Sequence, residues 1–156
     1  MKDTPNSHLR GPEDEVYIPL PGPPQVPIPS PEIYAAMGQE NIFTMCKDFY
    51  RALETTEIRP MFPEDLSEAS EKLAAFLVFR LGGPPLYQQR HGPPRLRERH
   101  FPFKITEKAR QTWLATFRKT LEGADRKYGF PMQHMEGFWK FIRDFSGWMV
   151  NTKEGL

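Results

Sequence analysis

The sequence predicts an all-α fold. Long stretches after residue 30 repeat apolar side chains at intervals of three and four, the period of a helix with one buried face. Each stretch is bounded by capping residues or by Gly/Pro breaks. No two segments read as a strand pair, and no internal repeat is visible. A chain of 156 residues is long enough for one domain with a single core.

Residues 1 to about 30 are the exception. Prolines at 5, 12, 19, 21, 23, 24, 27 and 29 favour extended polyproline II, which has no internal hydrogen bonds. Val16, Tyr17, Ile18, Leu20, Val26 and Ile28 are interspersed among them, so the segment is not purely polar. It reads either as an arm lying over the domain or a neighbouring subunit, or as a disordered tail. The division expected is an arm over 1–30 and a helical domain over 31–156.

Ser30-Pro31-Glu32 marks the first helix: a capping hydroxyl, a proline where no N–H is needed, and an acid on the positive end of the dipole. That helix should stop near Gly38. A second should run from about Gln39 to Leu53, with Ile42, Met45, Cys46, Phe49, Tyr50 and Leu53 on its apolar face. Tyr50 brings a hydroxyl to that face, which needs a partner once buried. Ile58, Met61 and Phe62 form an apolar corner closed by Pro63. Asp65 and Glu68 resemble a capping box for a helix from about Leu66 to Leu81. Its inner stripe is Ala69, Leu73, Phe76, Leu77 and Leu81, flanked by Lys72. Gly82-Gly83 ends it.

Residues 84–93 read as an irregular loop carrying Tyr87, Arg90 and His91. Pro94 to His100 has room for about two helical turns. It ends on an imidazole followed by Phe101, Pro102 and Phe103. Two readings fit: a surface helix that ends in a solvated histidine, or a stiff turn presenting a neutral imidazole to iron, with its second nitrogen held by a carbonyl. Thr106 caps a helix from about Glu107 to Glu122, whose apolar face is Ala109, Trp113, Leu114, Phe117 and Leu121. Gly123 to Gly129 is a polar break. The last helix, from Phe130-Pro131 to about Asn151, is apolar on more than one face. It must be sandwiched in the core or pack against a second copy of the chain, as in a homodimer.

Charge excludes some functions. Lys+Arg total 21 and Asp+Glu 20, so no global field is directed at nucleic acid or an anionic membrane. The basic cluster from Arg90 to Lys104 suits a local anion. The single cysteine, Cys46, rules out an internal disulfide, and its apolar neighbours make it a buried, inert thiol. Neither a signal-peptide core nor a bilayer-spanning run is present, so no membrane association and a cytoplasmic location are expected.

Taken together, Phe49-Tyr50, Phe62-Pro63-Glu64-Asp65-Leu66, Gly82-Gly83-Pro84, Tyr87, Pro94-Arg95-Leu96, Arg99-His100, Pro102-Phe103 and Trp113 resemble the group II truncated haemoglobins, in order and nearly in spacing. The resemblance covers roughly residues 31 to 150. Its most specific part is Gly-Gly-Pro, Arg-His-x-Pro-Phe and a tryptophan thirteen places after the histidine. It implies a two-over-two helical sandwich around haem b, with His100 as the iron ligand. Phe62, Leu73, Phe76 and Phe103 would contact the haem. Lys72, Tyr87 and Arg99 would face its propionates. Tyr50 and Trp113 would donate to a bound diatomic gas (dioxygen, nitric oxide or carbon monoxide), with Ala69 beside it where many globins carry a histidine. The sequence departs from the family at Gln89-Arg90-His91-Gly92-Pro93, where Gln-Arg-Gly-His-Pro is commoner, and in the proline-rich arm.

The resemblance implies reversible dioxygen binding with tight retention. A haem-dependent redox enzyme, of peroxidase or nitric-oxide dioxygenase type, is the alternative. It would need proton-transfer groups and a reductase of unknown identity, and no flavin or nicotinamide motif accompanies the chain. A nucleic-acid module using Arg95, Arg97 and Arg99 is disfavoured by the near-neutral charge.

Overall fold

A computed structural model describes residues 9–11, 14–19, 22–25 and 27–154. The other arm residues, Leu20 and Val26 among them, lie outside the described residues. The described chain is helical, with one isolated antiparallel bridge between Leu9 and Phe103.

Helix α1 spans Glu32–Leu53. The sequence predicts two helices here. The structure joins them across a kink at Gly38, whose φ of 75° and ψ of 164° break the helical path without ending it. The predicted face is buried: Ile42, Met45, Cys46, Phe49 and Leu53 have no exposed surface. A 3₁₀ turn at Arg59–Met61 then leads to α2, Ser67–Arg80. Asp65 accepts from the Ser67 amide at 2.9 Å, while Glu68 pairs with Lys72 at 3.1 Å instead of completing a capping box. On α2 the buried residues are Ser70, Ala74, Ala75, Phe76, Leu77 and Val78, so the innermost stripe differs from the predicted one. Ala69 and Leu73 stand beside it, half-buried.

Gly82-Gly83 does more than stop α2. Tyr34 N–H donates to the Leu81 carbonyl at 3.0 Å, drawing the start of α1 onto the end of α2. A Cβ at Gly82 would lie 2.6 Å from Pro31 Cα, and its φ is +108°. Both strain and overlap therefore oppose a side chain. Gly82→Ala is expected to lower the unfolding free energy by about 2–4 kcal/mol. Urea unfolding of the purified protein followed by circular dichroism measures this, and a loss below about 0.5 kcal/mol, the range of an ordinary surface change, would contradict it.

The segment predicted as an irregular loop contains α3, Leu86–His91. Pro84-Pro85 looks like a breaker, but a helix's first turn needs no N–H there. The Pro85 carbonyl accepts from Gln89 N–H at 3.1 Å, and Gly92 ends the turn at φ 79°. Helix α4, Leu96–His100, is shorter than predicted because Arg95 is left-handed at φ 37°. Thr106 caps α5, Glu107–Thr120, as predicted, its Oγ accepting from Ala109 N–H at 3.1 Å. The expected polar break holds a short helix, α6 (Ala124–Tyr128), between two left-handed glycines, Gly123 and Gly129. The last helix, α7, covers Met135–Met149 after a 3₁₀ turn at Met132–His134, and starts later than predicted because Pro131 is extended.

α1 packs against α2 and α5, and α7 packs against α5 and α4. Phe49, Phe117, Phe138 and Phe130 run through the core as successive ring contacts. On α7, Phe138, Phe141 and Ile142 are buried, while Trp139, Phe145, Trp148 and Met149 are half-buried. Among the described residues no helix is long and apolar enough to cross a membrane.

Candidate functional site

His100 is the last residue of α4 and is half-buried. Its Nδ1–H donates to the Leu96 carbonyl at 2.5 Å, within the same turn. Burial holds the imidazole below its ordinary range, against the opposing pull of that hydrogen bond. The ring is therefore neutral near pH 7, and Nε2 keeps its lone pair. Among the described residues no three His, Cys, Asp or Glu side chains are grouped to hold a metal. A lone neutral imidazole suits a metal whose remaining protein-independent ligands come from a macrocycle.

A second group of residues is aromatic. Tyr50 meets Phe62 edge-on at 5.8 Å and Phe49 at 5.3 Å, and Phe49 meets Trp113 at 5.2 Å. The fold thus brings Tyr50, Phe62 and Trp113 together from α1, the corner before α2 and α5. Burial pushes the Tyr50 phenol up, with the Cys46 thiol a smaller contribution. The phenol is therefore a proton donor in a hydrogen bond at any ordinary pH. No group among the described residues accepts from its hydroxyl. The buried Tyr128 differs: it donates to Asp48 at 2.7 Å. Tyr50 thus carries a hydroxyl that no described residue occupies, as do Tyr34 and the buried Tyr87. Cys46 is buried and its thiol is pushed up, which makes it a packing residue.

A third group connects α2 with α3 and α4. Phe76 meets Tyr87 at 6.3 Å and Phe145 at 5.4 Å, and the Arg99 guanidinium lies 5.3 Å over the Tyr87 ring. Arg99 also donates to the carbonyls of His91, Pro93 and Pro94 at 2.7–2.9 Å, so it braces the turn before His100. Tyr87 is buried beneath it. Lys72 remains substantially exposed despite its pairing with Glu68. Phe103 is half-buried, and its N–H donates to the His100 carbonyl at 3.0 Å.

The Bacterial-like globin family profile matches residues 32–151, which is most of the chain. The chain belongs to this globin family. It is 40% identical over 103 residues to the group 2 truncated hemoglobin YjbI of Bacillus subtilis, covering 62% of this chain and 78% of that one. Among solved structures it is similar to phosphate-bound Hell's gate globin IV, with a TM-score of 0.76 and 34% identity over 83% of this chain and 81% of that one. It also matches the group II truncated hemoglobin of Bacillus anthracis, with a TM-score of 0.70 and 32% identity over 78% of this chain and 97% of the other. The truncated oxygen-avid haemoglobin of Bacillus subtilis aligns with a TM-score of 0.69 and 34% identity, over 76% of this chain and 98% of that one.

The group II resemblance and the all-α truncated-globin fold expected from the sequence therefore hold. A haem-binding globin with a gas ligand follows from the family. The side chains fit such a group: an imidazole with a fixed tautomer, and the apolar Phe62, Ala69 and Leu73 that the core leaves partly accessible, with Phe76 buried in the core. Sequence reasoning missed Arg10 and Asn151, and weighed Arg97 only as a nucleic-acid contact. Arg97 stacks on Trp148 at 4.1 Å and donates to the Trp148 carbonyl and, at 2.9 Å, to the Val150 carbonyl. It is a clamp between α4 and the end of α7, a role that engages the guanidinium within the fold.

Proposed function

We propose that this globin holds haem b through His100 and binds dioxygen reversibly with slow release, retained by Tyr50 and Trp113. The observation that carries the reading is Tyr50, a buried residue set edge-on to Phe62 whose hydroxyl has no acceptor among the described residues. Haem supplies the iron at which a diatomic gas binds. His100 holds that iron through Nε2, while its Nδ1–H on Leu96 fixes the ring. Phe62, Leu73, Phe76 and Phe103 pack the apolar plate and exclude water. Lys72 and Arg99, with Tyr87 beneath Arg99, face the propionates. Such exposed pairs contribute about 0–1 kcal/mol each, so they orient the group more than they retain it.

Donors facing the ligand side would favour a diatomic gas that gathers negative charge there, dioxygen more than carbon monoxide. Ala69 can neither donate nor obstruct. The oxygen-avid name of the Bacillus subtilis relative fits this reading. A redox role would require a proton-transfer group on the ligand side and an electron donor such as a reductase. Among the described residues, His91 lies against Tyr87 and His134 pairs with Glu32 at 2.6 Å, so neither serves that side. The reduced protein in air should give a persistent dioxygen spectrum. Turnover with peroxide or nitric oxide should stay near that of free haem. Turnover far above free haem would select the enzyme reading.

A further inference from the structure

The arm reaches the same turn that carries His100. Arg10 N–H donates to the Pro102 carbonyl at 2.6 Å, and its guanidinium donates to the Phe101 carbonyl at 2.7 Å. The same guanidinium donates to Asn151 twice, to the backbone carbonyl at 2.9 Å and to Oδ1 at 2.6 Å. Asn151 has no exposed surface. Its Nδ2–H donates to the His100 carbonyl at 3.1 Å, while its Oδ1 also accepts from Ile105 N–H at 2.9 Å. The amide donates to one side and accepts from the other, which a carboxylate in its place could not do. Arg10, Asn151 and the backbone of His100 thus form one continuous chain of hydrogen bonds.

We propose that Arg10 is a positioning residue for His100, acting through Asn151, so that the proline-rich arm tunes the metal ligand from the proximal side. The proposal rests on the haem reading above. The physical reason is the brevity of α4. Five residues cannot hold a helix by themselves, so tertiary contacts must fix where the imidazole sits. One end of the turn is clamped by Arg97, which also donates to the Tyr17 carbonyl of the arm at 2.8 Å. The other end is held by Asn151, whose own orientation depends on the Arg10 charge. Tyr17 N–H donates to the Asn151 carbonyl at 2.7 Å, and Asp14 pairs with Lys104 at 3.5 Å, which fastens the arm beyond this contact. Arg10 touches neither the imidazole nor the gas pocket, so it acts only through the backbone it holds.

The test uses the full-length, haem-loaded protein with Arg10→Ala and Arg10→Lys. Two readouts are taken: exchange of the Ile105 amide, and the iron–histidine stretching band of the ferrous form. Losing a hydrogen bond to a charged group should speed Ile105 exchange roughly tenfold or more in Arg10→Ala. The iron–histidine band should shift or broaden in the same variant. Arg10→Lys keeps the charge but not the fork, so it should fall between the wild type and the alanine variant. Unchanged Ile105 exchange would overturn the proposal. So would faster exchange with an unchanged iron–histidine band, since the contact would then be structural only. A wild-type chain that takes up no haem would instead overturn the haem reading, and the positioning role with it. Exchange measured on that chain would still report whether the arm contact exists.

Discussion

Dioxygen release is expected to accelerate roughly tenfold or more when Tyr50 is replaced by phenylalanine, because the donor removed is worth ~1.5–3 kcal/mol toward a charged acceptor. The substitution is clean. The hydroxyl has no protein partner among the described residues, so phenylalanine keeps the ring contacts with Phe62 and Phe49 and leaves no polar group unpaired. Stability should change by less than about 0.5 kcal/mol. Carbon monoxide release should change less than dioxygen release, since that ligand accumulates less charge. Stopped-flow displacement of each gas measures both. An unchanged dioxygen rate would remove Tyr50 from the ligand pocket.

The second large effect is the loss of haem when His100 is replaced by glycine. The variant loses the only nitrogen the fold presents for coordination in this turn, and a ring-sized space is left beside the Leu96 carbonyl. Free imidazole should re-enter that space, donate to the same carbonyl and restore binding. Rescue separates loss of a ligand from loss of a fold, which circular dichroism checks independently. Glycine in a short helix costs roughly 1 kcal/mol, far less than global unfolding. Retention of haem by the glycine variant without imidazole would contradict the assignment.

Much of this was legible in the sequence, for identifiable reasons. Helix α5 was readable because Thr106 and a strong three-and-four period agree. His100 stood out through the family resemblance, because the residues around it also fit a solvated histidine at the end of a surface helix. Helix α3 was hidden by Pro84-Pro85, since the same residues that break a helix interior also begin one. Helix α6 was hidden by its length and its flanking glycines. Tyr50 and Tyr128 are indistinguishable as letters, and only the position of Asp48 shows which hydroxyl is occupied. Arg10 and Asn151 lie 141 positions apart, and no local pattern announces a contact at that range.

The most direct test of the central claim compares the histidines at the two ends of the loop before Phe101. Haem is titrated into the wild type, His91→Ala and His100→Ala, and the Soret band is followed to saturation. The wild type and His91→Ala should saturate at one haem per chain with the same sharp endpoint, while His100→Ala should show no endpoint. Saturation of His100→Ala like the wild type, or failure of His91→Ala in its place, would contradict the account.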